Sequence, residues 1–157
     1  MTAKAEFNAE EWSAVAGAPL LAAMMVIAAD RGGSVRESVA VAKAYGEARE
    51  QYTSELMSAL LASPPATGQR PDSPGDLPEQ AKSMLRDAVA TLERVASEDE
   101  VVEYKRFVYA LAESAAGARK EGGFLGIGGG KSPISEAEQA ALDEIAAIFD
   151  AQPPAAV

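Results

Sequence analysis

The chain is 157 residues long and carries 24 acidic against 14 basic side chains, for a formal charge of −10, with neither cysteine nor histidine. That length predicts one domain with a substantial core, and that charge repels phosphate backbones and anionic lipid surfaces, which sets nucleic acid aside as a partner. The two missing residue types remove disulfides, zinc–thiolate sites and the commonest general base, and they suit a cytoplasmic location.

Alanine supplies much of the apolar content, aromatic residues are few, and strand formers never alternate with polar residues. The expected class is all-α, a single-domain bundle of about six helices over residues 1–157. Helix starts are legible as capping boxes, in which a cap oxygen accepts an early helical N–H while a glutamate three residues on reaches back. The pairs Asn8/Glu11, Ser34/Glu37, Asp76/Glu79, Ser97/Glu100 and Ser135/Glu138 all fit this pattern.

The first helix is expected over about Ala9 to Ala16, with Trp12 and Val15 inward. Gly17 and Pro19 should break or kink it, since proline lacks the amide hydrogen and disfavours a helical residue before it. The next stretch, Ala18 to Ala29 (APLLAAMMVIAA), has no charged or polar side chain. A helix apolar on every face must be surrounded, so this segment is read as the hub of the bundle. A membrane span is the competing reading. The acidic leader before it, the interruptions at Gly17 and Pro19 and the lack of a flanking basic cluster favour a buried core helix, neither a signal peptide nor a transmembrane segment.

The third helix is expected over Val35 to about Ala62, with an apolar face of Val39, Ala42, Tyr45, Ala48, Tyr52, Leu56, Ala59 and Leu60. Residues 63–78 hold five of the nine prolines and two glycines, and read as a proline-rich loop. A fourth helix over about Glu79 to Ala96 buries Met84, Leu85, Ala88, Val89, Leu92 and Val95. A fifth, after Ser97, carries the stripe Val101, Tyr104, Val108, Leu111, Ala115 and Ala118. The last, about Glu136 to Asp150, buries Leu142, Ile145, Ile148 and Phe149, and residues 151–157 should fray.

Residues 122–134 (GGFLGIGGGKSPI) invite a phosphate-loop reading, but Leu125 stands where that motif needs glycine, and no strand precedes it. Two readings remain. Phe124, Leu125 and Ile127 either fill a groove between the last two helices or, with Lys131, form an exposed contact for a partner.

A weak internal repeat offers a rival chemistry. Asp30-Arg31-Gly32-Gly33-Ser34 with Glu37, and Glu121-Gly122-Gly123 with Ser135 and Glu138, each join an acid, a Gly-Gly pair, a serine cap and a glutamate. The carboxylates of Asp30, Glu37, Glu121 and Glu138 could bring oxygen ligands to calcium or magnesium, or could simply cap helices. No nucleophile sits beside a base in a strained turn, so an enzyme is not expected, and no cofactor beyond such a cation is implied.

The pattern Phe7…Glu11-Trp12…Ala18-Pro19…Val26…Ala29-Asp30, with residues 121–129 (EGGFLGIGG) and Ser135-Glu136-Ala137-Glu138, resembles a group of small helical bacterial proteins. The Ala-Asp-x-Gly…Ser-x-x-Glu element resembles the tellurite-resistance TerB-like helical superfamily. That resemblance implies an all-helical fold with acidic inter-helix loops, a cation link and a stress-associated role in protein–protein interaction.

Overall fold

A computed structural model describes residues 2–29, 35–62, 73–117 and 134–150. Six α-helices follow one another: α1 (Ala9–Ala29), α2 (Val35–Gln51), α3 (Glu55–Ala62), α4 (Leu77–Val95), α5 (Glu98–Gly117) and α6 (Glu136–Asp150). Short 3₁₀ turns at Lys4–Glu6 and Pro74–Asp76 precede α1 and α4. Helix α1 is the hub, packed chiefly on α4 and α5 and also on α6, while α2 and α3 lie against α5.

The hub is longer than its apolar run. Helix α1 is continuous through Gly17 and Pro19, so the expected break does not occur. Its 21 residues span about 31 Å. A proline inside a helix leaves the carbonyl four residues earlier without its amide partner; here that carbonyl belongs to Val15. The Tyr104 hydroxyl on α5 donates to the Val15 carbonyl oxygen at 2.7 Å. Both residues have no exposed surface, so this bond closes a gap that water does not reach. The helix runs on because a neighbouring helix supplies the donor that Pro19 lacks.

By length and composition α1 is apolar enough to cross a membrane, yet its side chains are used by the bundle. Val15, Ala18, Leu21, Ala22, Ala23, Met25 and Val26 are buried, and Leu20, Met24 and Ile27 pack partly against the same core.

The long helix expected over Val35–Ala62 is two. The first ends at Gln51, and Ser54 caps the second, its Oγ accepting the Met57 N–H at 3.3 Å. The signal was faint because Met57, rather than a glutamate, occupies the third helical position. The bend turns Leu56, Met57, Leu60 and Leu61 into the core. The inward face of α2 also differs from the expected one: Val41, Tyr45 and Ala48 are buried, Ala42 is exposed and Val39 is 62% exposed. Arg49 holds the two helices together, its Nε donating to the Leu61 carbonyl at 2.8 Å, one of the terminal carbonyls that α3 leaves unpaired.

Among the described residues three capping boxes are formed in full, and the box expected at Ser34 and Glu37 lies outside them. Asn8 and Glu11 exchange bonds at 2.9 Å each, and Ser97 pairs with Glu100 and Ser135 with Glu138. The box expected at Asp76 is absent, because Asp76 is helical in backbone and its side chain makes no cap bond. Ser73 caps instead, accepting from the Gly75 N–H ahead of the 3₁₀ turn that leads into α4. The proline-rich segment is therefore organised from Ser73 onward, and its earlier part, 63–72, lies outside the described residues.

Candidate functional site

Of the four carboxylates proposed for a cation, Glu138 is the one whose side chain lies among the described residues. Asp30, Glu121 and the side chain of Glu37 lie outside them. Glu138 is 2% exposed. Its Oε2 accepts the Ser135 N–H at 2.9 Å, and its own N–H donates to Ser135 Oγ at 3.2 Å. In the first turn of α6 it also meets the positive end of the helix dipole, so capping accounts for it. No group of three or more metal-ligating side chains occurs among the described residues. The proposed contact residues Phe124, Leu125, Ile127 and Lys131 lie outside them as well, and the choice between a docked and an exposed loop lies there too.

The most heavily bonded carboxylate belongs to Glu100, in the first turn of α5. Besides Ser97 N–H at 3.2 Å and Ser97 Oγ at 3.1 Å, it accepts the Thr2 N–H at 2.9 Å and the Thr2 hydroxyl at 2.7 Å. Burial pushes the carboxyl up, but the bonds from Thr2 and then Ser97 outweigh it and hold the pKa down at about 2. This cluster ties the start of the described chain to α5. The N-terminal segment is further held by Phe7 on Trp12, ring centroids 5.5 Å apart. Glu11 bridges from the start of α1 to Arg94 near the end of α4.

A cleft of about 620 Å³ opens between α4 and α6, lined by Lys82, Arg86, Asp87, Ala90, Glu144, Ala147 and Ile148. Helical spacing sets its wall, because Lys82, Arg86 and Ala90 stand four residues apart on α4. Lys82 is held from two sides, 2.7 Å from Glu79 and 3.4 Å from Glu144 on α6. Its bond to Glu79 raises the lysine pKa and lowers that of the glutamate, so the pair is charged at neutral pH. Ala90 and Ala147 bring small exposed side chains to its lining, and Ile148 brings a buried apolar one. The lining offers charge and contact area. Sequence reading missed this cleft. The Lys82/Arg86 spacing was visible, but nothing local pointed to Glu144 and Ala147 across from it.

The seam between α2 and α5 is aromatic. Tyr45 meets Phe107 edge-on at 5.2 Å between centroids, and Tyr52 meets the same ring at 6.1 Å. Among the described residues, Tyr45 Oη and Glu103 Oε2 are buried without a hydrogen-bond partner. Burial pushes the Tyr45 hydroxyl well above its ordinary range. Tyr52 is raised too, first by burial and then by the Glu103 charge, with Arg106 opposing.

No protein-family model matches the chain, and no curated protein or solved structure matches it. What the structure establishes is a small all-helical protein whose six helices pack around α1.

Proposed function

We propose that this protein is a non-enzymatic, cytoplasmic interaction module of the TerB-like, stress-associated kind, and that a protein partner docks in the cleft between α4 and α6. The cleft carries the reading, for it combines a fixed charged rim at Lys82 and Glu144 with small exposed side chains at Ala90 and Ala147. The buried carboxylates point the same way. Glu100 and Glu138 are engaged by helix-start N–H groups and hydroxyls, and so serve the fold.

Site-specific photo-crosslinking from position 90, in cells, tests the docking. A discrete crosslinked protein is expected, and its loss in Ala147→Arg with an unchanged helical spectrum places it in the cleft. Ala147 is exposed, so the arginine fills the cleft without entering the core. Capture that survives Ala147→Arg, or no crosslink at all from this position, would refute cleft docking. The stress association predicts that cells lacking the protein grow less well on tellurite than cells carrying it; equal growth counts against that part of the reading.

A further inference from the structure

We infer that α2 and α3 form a gate that opens as one unit from α5, uncovering Phe107, while the rest of the bundle stays folded. The inference does not depend on the cleft reading.

Three observations converge on it. The first is where the pair packs: α2 lies on α5 and touches the hub only slightly, whereas α4, α5 and α6 all close on the hub directly. Lifting α2 and α3 therefore leaves the hub packed on three helices.

The second is the quality of the seam. Its aromatic contacts are sound, but it also buries the Tyr45 hydroxyl, and Glu103, whose charge reaches Tyr52 at the end of α2, buries its Oε2. A buried polar atom without a partner loses its hydration and recovers nothing, so opening costs less at this seam than at one whose polar atoms are all paired. The contrast with Tyr104 is direct. Two tyrosines face this side of the core, and Tyr104 has a carbonyl to donate to while Tyr45 has none among the described residues.

The third is the coupling within the pair. Arg49 clamps α2 to the last turn of α3, and Ser54 caps α3 beside the bend. The Arg49 bond joins the two helices to each other rather than to the bundle, and the Ser54 bond lies within the start of α3, so both remain when the seam parts. Sub-global opening of this kind is ordinary behaviour for a supersecondary unit packed mainly on one neighbour, and here it works against the burial of Leu56, Met57, Leu60 and Leu61.

Hydrogen exchange of the full chain, read by mass spectrometry across a urea series, tests the gate. Amides of α2 and α3 are expected to exchange together, faster than those of α1, α4 and α5 and with a smaller urea dependence. Tyr45→Phe keeps the ring on Phe107 and removes the unpaired hydroxyl, so it should slow α2 and α3 about tenfold, the order that relieving one buried polar group implies, and leave α1 unchanged. Arg49→Met should uncouple the pair, with α3 exchanging faster than α2. The gate is refuted if α2 and α3 share the protection and urea dependence of α1, or if Tyr45→Phe fails to slow them selectively.

Discussion

Tyr104→Phe isolates the contact that lets α1 pass through Pro19. The substitution removes one oxygen and keeps the ring in place, leaving the Val15 carbonyl with neither the amide that Pro19 lacks nor the hydroxyl now 2.7 Å away. That carbonyl is buried, so its loss should cost about 1–3 kcal/mol, or about 2–4 °C in Tm for each kcal/mol in a chain of this size. The informative experiment is a double-mutant cycle with Pro19→Ala, which restores an amide hydrogen where the Val15 carbonyl can accept it. In that background Tyr104→Phe should cost less, with a coupling of about 1–2 kcal/mol, larger than the scatter of independent sites. Urea unfolding followed by far-ultraviolet circular dichroism measures all four corners. Equal costs of Tyr104→Phe in the two backgrounds, within about 0.5 kcal/mol, would refute the claim that the hydroxyl substitutes for the missing amide.

Acid should unfold the protein partly through Glu100. Its pKa is lowered in the fold to about 2 from an ordinary 4.5, so the unfolded chain binds the extra proton; this stability is present above about pH 4.5 and is lost as the pH falls toward 2. Glu100→Gln should flatten the fall of Tm across that window, and a slope as steep as that of the parent would show the assignment to be wrong. Calcium gives a separate check on the carboxylates. A site loaded at one hundred times its Kd would add about 2.7 kcal/mol, readily seen in a melt, whereas Glu138 engaged as a cap predicts no shift at millimolar calcium. A clear rise in Tm would support the pairing of Asp30, Glu37, Glu121 and Glu138.

Local chemistry was enough for part of this protein. Asn8/Glu11, Ser97/Glu100 and Ser135/Glu138 could be read as helix starts because a capping box closes within four residues and needs nothing distant. The Ala18–Ala29 stretch could be read as the centre because a helix apolar all round has no face to offer water. The stripes of α4 and α5 followed from period alone.

Tertiary contact decided the rest. Proline propensity argued for a break at Pro19, and the Tyr104 hydroxyl, 89 residues along the chain from the Val15 carbonyl it bonds, reversed that outcome. An unbroken apolar pattern argued for one helix over Val35–Ala62, but packing on α5 favoured a bend at Ser54 that buries Leu56 and Met57. The proposed docking cleft depends on Lys82 meeting Glu144, and the proposed gate on Tyr45 meeting Phe107. Residues that far apart in sequence meet only once the helices have packed, so periodicity and capping, which act within a few turns, carry no record of either site.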